Sequence, residues 1–301
     1  MSRPAESPHC TSPVAQTIAD ALQSGARALR SHSDSPRLDA ELLLAKILGL
    51  TRAGLIARAD EPVAGEHARA YASLIEQRLG GAPVAYLTGT REFWSLPLEV
   101  TPAVLVPRPE TELLVELALQ LLPRHPVGAP ADRASRILDL GTGSGAIALA
   151  IASERPAARI TGVDVSRAAL DVAIQNSRRL SLTQIDWRLG WWFAPVTGER
   201  FDLIVANPPY IAAADPALES LRAEPMLALC DGPTGLEALS AIAAGAPAHL
   251  REGGWLALEH GSGQAADVAG LLEHHGFAGI RSHADFSGKP RVTLGTIHFA
   301  H

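Results

Sequence analysis

Four consecutive residues, Asn207-Pro208-Pro209-Tyr210, combine a carboxamide, two rings that lock the main chain, and a phenol. Each proline fixes φ near about −65° and pushes the residue before it towards an extended conformation, so the segment is stiff before any substrate arrives. That stiffness lets two acceptors, the Asn207 side-chain carbonyl and the Pro208 main-chain carbonyl, aim at the two hydrogens of one NH2 group, with the Tyr210 ring offering a face to a planar substituent. An amide nitrogen is a poor nucleophile because its lone pair is delocalised into the carbonyl, the same resonance that gives a peptide bond its barrier of about 18–20 kcal/mol. Acceptors on both N–H bonds favour the state in which the nitrogen begins to share that pair. Holding it in line with an electrophilic methyl group removes an orientation cost that reaches roughly 7–11 kcal/mol in favourable cases, without an acid or base of shifted pKa. Asn-Pro and Pro-Pro are also ordinary turn signals, so the tetrapeptide takes its weight from its surroundings.

A second constellation is Asp139-Leu140-Gly141-Thr142-Gly143-Ser144-Gly145, placed where an apolar strand hands over to a helix. Glycines there permit a tight turn and let a ligand lie against main-chain N–H groups at the helix N-terminus. Asp164 follows the next apolar run, where an acidic side chain accepts hydrogen bonds from ribose hydroxyls. These two features do not name the cofactor by themselves. Ala146 completes a G-x-G-x-x-A pattern, which keeps NAD and an oxidoreductase as a rival reading. The tetrapeptide separates the two, because it directly follows the apolar strand Asp202 to Ala206 and a dehydrogenase needs no such element. Ligands of open α/β sheets bind outside the carboxyl ends of strands, which puts tetrapeptide and glycine loop on one crevice.

The elements that must position these groups are legible as short apolar strands alternating with helices. Strands are expected at Ile137 to Leu140, Ile160 to Asp164, Phe201 to Ala206 and Gly254 to His260, and helices at Ala146 to Ser153 and Ser166 to Leu180. Strands apolar on both faces belong to a parallel sheet covered by helices. The segments Ile280 to Ala284 and Val292 to Phe299, joined through Gly288-Lys289-Pro290, predict a closing antiparallel hairpin. Pro107-Arg108-Pro109-Glu110-Thr111-Glu112 opens a helix to about Leu122, with a proline in its first turn and acidic residues at the positive end of its dipole. Glu110 and Glu112 thus have a structural reading beside a pocket one.

Before this domain, apolar residues recur at helical spacing from Val14 to Gly80: Ile18 with Leu22, then Leu38, Leu42, Leu44, Ile47 and Leu48, then Leu74 with Leu79. Ser33-Asp34-Ser35-Pro36, Gly49 and Glu61-Pro62 punctuate them as caps and stops. The expected organisation is a disordered tail over 1–12, a helical domain over 13–82, a hairpin linker over 83–106 and an α/β domain over 107–301.

With 301 residues, 47% of them hydrophobic and 19% charged, the chain supports two packed domains. No apolar run is long enough to span a bilayer and Met1 to Pro13 lacks the apolar core of a secretion signal, so a cytoplasmic location is expected. Cys10 and Cys230 are too few for a disulfide framework or a structural zinc site and read as ordinary thiols. A net charge of −6 argues against a surface built to coat nucleic acid. The histidines, including His274-His275 and His298 to His301, lack zinc-ligand spacing, and no metal is expected.

With these residues in hand, the chain resembles the release factor glutamine methyltransferase family of the PrmC or HemK type, from about Arg37 to Leu294. Beyond the elements above, the likeness is carried by Arg37-Leu38-Asp39-Ala40-Glu41, Arg91-Glu92-Phe93-Trp94-Ser95-Leu96-Pro97-Leu98, the Pro107 to Glu112 segment, and Glu259-His260-Gly261. These are more specific than Asn-Pro-Pro-Tyr, which adenine-N6 methyltransferases share. The resemblance implies a class I S-adenosylmethionine-dependent methyltransferase fold, Rossmann-like, with a small N-terminal helical domain that helps grip the substrate. It implies N5-methylation of the glutamine in the Gly-Gly-Gln motif of class I peptide chain release factors; a monomer with no direct nucleic-acid substrate is expected. By position, Gly141, Thr142, Gly143, Ser144, Gly145, Asp164, Trp192 and Asn207 match the family's S-adenosylmethionine contacts, and Asn207, Pro208, Pro209 and Tyr210 its glutamine cradle. Trp192 also has a reading as a core aromatic. Trp191 is a departure, standing where the family commonly has an acidic residue. An adenine-N6 methyltransferase acting on a flipped base, an NAD-dependent oxidoreductase and a noncatalytic partner of translation are the alternatives.

Overall fold

The computed structural model describes residues 16–122 and 134–299. The tail expected over 1–12, and Cys10 within it, lie outside the described residues. The chain divides between Thr88 and Gly89 into two compact units.

The first unit is helical: α1 Ile18–Ala28, α2 Pro36–Leu48, α3 Arg52–Ala57, α4 Gly65–Leu79 and α5 Val84–Thr88. Thr17 starts α1 with a reciprocal cap, its hydroxyl accepting from the Asp20 amide at 3.2 Å and its own amide donating to Asp20 at 3.1 Å. Gly49 ends α2 at φ 64°, a left-handed cap that costs glycine nothing. Val84–Thr88, within the hairpin linker expected over 83–106, instead forms the short helix α5, where the Thr88 hydroxyl donates to the Val84 carbonyl at 3.0 Å. Leu22, Leu29, Leu43, Leu44 and Leu55 fill the core.

The buried face of α2 departs from the apolar pattern, because Asp39 and Glu41 are inside while Leu38 is exposed. The acids are tolerated because each is paired. Asp39 accepts from Arg78 of α4 at 2.9 Å, and Glu41 from Arg37 at 2.6 Å and Arg52 of α3 at 2.8 Å. The Arg37 hydrogen bond, against burial, holds the Glu41 carboxyl below its ordinary range. The Arg37 to Glu41 motif is therefore the internal staple of this unit. Arg78→Ala leaves Asp39 buried and unpaired and is expected to cost about 2–3 kcal/mol, discounted from the buried-pair range because Arg78 keeps some solvent contact. Hydrogen exchange at the α2 and α4 amides checks this, and unchanged protection there contradicts it.

The second unit opens with a hairpin, β1 Thr90–Phe93 and β2 Leu96–Glu99. Its two-residue tip, Trp94 and Ser95, takes positive φ at both positions. Side chains brace this unfavourable geometry: the Trp94 amide donates to Glu112 at 2.9 Å and the Ser95 amide to Glu92 at 2.9 Å. There follow α6 Glu112–Leu121, β3 Arg136–Leu140, α7 Ala146–Glu154, β4 Arg159–Asp164, α8 Arg167–Arg179, β5 Asp186–Leu189, β6 Phe201–Ala206, α9 Ala217–Ser220, α10 Glu237–His249, β7 Leu250–Glu259, α11 Ala265–His274, β8 Phe277–Ala284 and β9 Pro290–Ile297.

The sheet order is β5-β4-β3-β6-β7-β9-β8, parallel from β5 to β7 and antiparallel at β9 and β8. Successive residues face opposite layers. Ile137, Leu203, Val205 and Ala257 pack on the side of α6 and α7, and Leu138, Ile204, Ala206 and Leu258 on the side of α10 and α11. Each such Val, Leu or Ile side chain withdrawn from water contributes roughly 1.5–3 kcal/mol. The strand β5 is not legible as an apolar run because Asp186 and Arg188 alternate with Trp187 and Leu189. Trp187 lies over the sheet where a Cβ on Gly162 would come within 2.5 Å of its ring and one on Gly145 within 2.9 Å. Gly145 therefore serves packing, although it reads from sequence as part of the ligand loop.

Candidate active site

Strand order reverses around β3 and β6, and the register there sets the site. Leu140 pairs with Val163 on one side and Ala206 on the other, and Ala206 pairs with Leu258. The next residues of the four strands, Gly141, Asp164, Asn207 and Glu259, therefore emerge at one level, at the carboxyl ends where open α/β sheets bind ligands.

Gly141, Thr142, Gly143, Ser144, Asp164, Trp192, Asn207 and Pro209 line a single cleft. Gly145, Pro208 and Tyr210 are not among its described lining residues. Gly143, at φ 56°, faces open space, since a Cβ there would meet nothing closer than the Gly141 carbonyl at 4.0 Å. The Trp192 ring stands 3.6 Å from the corresponding position on Gly141, flanking the turn, and is met edge-on by Trp191 at 5.5 Å. Trp191 lies on the cleft wall, half exposed.

The loop amides do not form the row of free donors expected from sequence. Gly141 and Thr142 donate to the Val163 carbonyl at 2.9 and 3.0 Å, Gly143 to Asp164 at 2.9 Å, and Gly145 to the Thr142 carbonyl at 2.8 Å. Hooking the turn onto β4 keeps its shape but spends those N–H groups, so the turn offers mainly bare peptide surface. Asp164 also accepts from the Ser166 amide at 2.8 Å, and burial raises its carboxyl while the Ser166 and Gly143 amides pull it down. Beneath the turn, buried Asp139 accepts from the Thr142 hydroxyl at 2.6 Å, and burial pushes its carboxyl up to about 7.

Asn207, which lines the cleft, donates through Nδ2 to the Thr111 hydroxyl at 3.1 Å, which leaves Oδ1 without a hydrogen-bonding partner among the described residues. Tyr210 packs partly buried against the core and donates its phenol to Glu259 at 3.3 Å. Burial, with Glu259 beside it, holds that phenol well above its ordinary range. The Tyr210 carbonyl accepts from Gln264 at 3.1 Å, and a Cβ on Gly235 would stand only 2.4 Å from it. The far end of the tetrapeptide is thus clamped from outside as well as by its prolines. Tyr210 anchors the segment, where its ring reads from sequence as a stacking face; its phenol is drawn away by Glu259.

Several residues here carried no sequence assignment. Thr111 is buried on the cleft wall, whereas its neighbours Glu110 and Glu112 are not among the described lining residues, and Glu112 is taken by the hairpin tip. A threonine between two acids gave no periodic signal. Glu224 accepts from the Val106 amide at 3.0 Å and from the Arg108 guanidinium, joining two segments that both line the cleft, 103–108 and 225–231. Glu259, an acid ending an apolar strand, was a signal available in the sequence.

A doubly wound sheet with a reversed closing pair, a glycine turn after β3, an acid after β4 and Asn-Pro-Pro-Tyr after β6 define a class I S-adenosylmethionine-dependent methyltransferase fold. The 16S rRNA N2 G1207 methyltransferase of T. thermophilus, solved with AdoMet and guanosine, has the same fold at 19% identity and TM-score 0.51, covering 69% of this chain and 50% of that one. The family described as Methyltransferase small domain matches residues 115–224, and the PrmC N-terminal domain residues 20–89. The chain belongs to the release factor glutamine methyltransferase family. It is 51% identical over 263 residues to the protein of that name from Xylella fastidiosa, covering 86% of this chain and 92% of the relative. Its identity to the Burkholderia pseudomallei protein of the same name is 47%, over 86% and 92% of the two chains. Family membership favours neither the NAD-dependent nor the adenine-N6 reading of the shared motifs. Among the described residues no helix is long and apolar enough to cross a membrane.

Proposed function

We propose that the protein transfers a methyl group from S-adenosylmethionine to the side-chain amide nitrogen of the glutamine in the Gly-Gly-Gln motif of class I peptide chain release factors, in the cytoplasm. The observation that carries this reading is the commitment of Asn207 Nδ2 to Thr111. It leaves a carbonyl oxygen beside the glycine turn as the group that receives an N–H. The family relatives, named for this activity, support the choice of acceptor.

The cleft fits the donor chemically. Bare peptide at Gly141 to Ser144 allows close approach, and of the cleft's lining residues Asp164 would accept from ribose hydroxyls and Trp192 would flank a planar base. Bound there, S-adenosylmethionine supplies an electrophilic methyl carbon on a sulfonium sulfur. Asn207 Oδ1 and the Pro208 carbonyl would accept the two glutamine N–H bonds, turning the lone pair towards that carbon; as the nitrogen–carbon bond forms the carbon–sulfur bond breaks, the sulfur leaves as a neutral thioether, and the nitrogen gives up one proton to solvent. Pro208 and Pro209 hold both acceptors still, so little reorganisation accompanies the reaction. Trp191, in place of the family's usual acid, offers the cofactor an aromatic edge with no charged acceptor. The helical unit serves recognition of the protein substrate. Incubating purified release factor with enzyme and S-adenosylmethionine is expected to add one methyl to one glutamine, read by peptide mass spectrometry. An unmodified Gly-Gly-Gln peptide after prolonged incubation overturns the proposal.

A further inference from the structure

We propose that the tip of the β8–β9 hairpin, with Phe286 at its apex, is a docking contact for the protein substrate, seating a release factor through an apolar patch outside the glutamine's own cleft. This rests on the reading of a release factor as the substrate and adds where that protein is gripped.

The large apolar side chains that the second unit leaves in water are not scattered. Among its described residues, Val165, Leu189, Trp191, Met226, Leu227 and Phe286 all lie at or beyond the carboxyl ends of β4, β5, β6 and β8, on one rim. Phe299 is at the opposite edge, where the Arg200 guanidinium covers its ring at 5.3 Å. Single exposed apolar residues are ordinary, whereas their collection on one rim marks a surface that a partner covers. Val165, Trp191 and Leu227 line the cleft and are covered when the cleft fills. Phe286 is fully exposed and is not among the described lining residues, so a small ligand in the cleft leaves it bare.

Strand register places this tip beside the cradle. Ala206 pairs with Leu258, Glu259 with Val292, and Val292 with His283. Asn207, Glu259, Val292 and His283 therefore run in one row, and residues 285–289 stand beyond that row, on the side of β7 away from the glycine turn. At a strand spacing of about 4.8 Å the tip is roughly 10–14 Å from Asn207 across the sheet. It is also bonded into the cradle's support. Arg291 donates to Asp285 at 3.1 Å, the Arg291 carbonyl accepts from the His260 amide at 2.9 Å, and a Cβ on the next residue, Gly261, would stand 3.7 Å from the Tyr210 ring.

The turn holds the ring outward. Asp285 Oδ1 accepts from the Ser287 amide at 2.9 Å, the Ser287 hydroxyl at 2.6 Å and the Lys289 amide at 3.1 Å. The main chain closes with the Gly288 amide donating to the Asp285 carbonyl and the Asp285 amide to the Lys289 carbonyl, each at 2.9 Å. Gly288 supplies the left-handed position at φ 78°. A turn that only joined two strands would gain nothing from a phenyl ring in water. An aromatic ring on a backbone already ordered loses little freedom when a partner buries it, which is the property of an interface anchor. A projecting tip offers no concavity for a small molecule, so the occupant is a protein surface. A release factor extends beyond its glutamine and spans cradle and tip together. A Gly-Gly-Gln tripeptide spans at most about 11 Å and, with its glutamine seated, stops short of Phe286.

The test measures kcat and KM for wild type, Phe286→Ser, Phe286→Tyr and Asp285→Ala on intact release factor, with a capped Gly-Gly-Gln tripeptide as second substrate. Phe286→Ser is expected to raise KM for release factor about tenfold, the loss from truncating one aromatic anchor, with kcat and S-adenosylmethionine affinity unchanged. Phe286→Tyr restores KM, and Asp285→Ala, which keeps the ring but frees the turn, raises it by less. Tripeptide turnover and melting temperature are the same in Phe286→Ser and wild type. A Phe286→Ser enzyme with wild-type KM on release factor overturns the docking contact while leaving methyl transfer intact. An equal rise in KM for the tripeptide also overturns it, since the ring then acts within the cleft. A wild-type dimer lost in Phe286→Ser by sedimentation, with release-factor KM unchanged, assigns the tip to a second copy of the chain and likewise overturns it. Should wild type fail to methylate the release factor, the methyl-transfer reading falls, and calorimetric binding of release factor to wild type and Phe286→Ser decides the contact: equal affinities, or no binding to either, refute it.

Discussion

Asn207→Ala is expected to lower turnover on release factor by roughly 10²–10³, the loss typical of deleting one preorganised transition-state hydrogen-bonding group. The effect falls on kcat more than on either KM, because the acceptor matters most when nitrogen begins to share its lone pair. Little stability is lost with it. The side chain is only partly buried, its one hydrogen bond goes to Thr111, and the tetrapeptide remains clamped by its prolines, Gln264 and Glu259. Single-turnover kinetics beside a thermal melt separates the two effects. An alanine variant turning over within a few-fold of wild type excludes Asn207 Oδ1 as the acceptor.

Asp164→Ala is expected to weaken S-adenosylmethionine binding by roughly 10- to 100-fold, from the loss of charge-assisted hydrogen bonds worth about 1.5–3 kcal/mol. Two losses combine. The ribose acceptor disappears, and the amides of Gly143 and Ser166, which Asp164 holds at 2.9 and 2.8 Å, lose their partner, so the glycine turn loosens. Calorimetric titration reads the affinity directly. Asp164→Asn separates the contributions: it keeps one acceptor while removing the charge, and its affinity should fall between the other two. Unchanged affinity in the alanine variant removes Asp164 from the cofactor site. Since burial raises the Asp164 carboxyl, affinity should also decline as pH falls through its raised range, where the protonated acid becomes a poorer acceptor.

Local chemistry was written in the chain itself. Glycines at 141 and 143, an acid at 164 and consecutive prolines at 208 and 209 each impose a backbone geometry or a hydrogen-bonding sense that no neighbour alters. Short runs apolar on both faces, such as Ile204 to Ala206, require cover on both sides and so announce a doubly wound sheet. Binary pattern failed where the buried face was polar or the edge was amphipathic. Asp39 and Glu41 are inside only because arginines from α2, α3 and α4 reach them, and β5 alternates because it borders the sheet.

Only the tertiary structure decided which residues meet. The register Leu140–Ala206–Leu258 is a long-range property, and it alone puts Glu259 beside Asn207 and turns an unremarked threonine into the partner of the site's carboxamide. It also redirected Gly145 to packing against Trp187, Glu112 to the hairpin tip and Tyr210 to anchoring. Spacing along a chain records what each residue can do. Which of its hydrogen-bonding groups are already spent, and which remain for a substrate, depends on partners tens of residues away and is settled when the strands align.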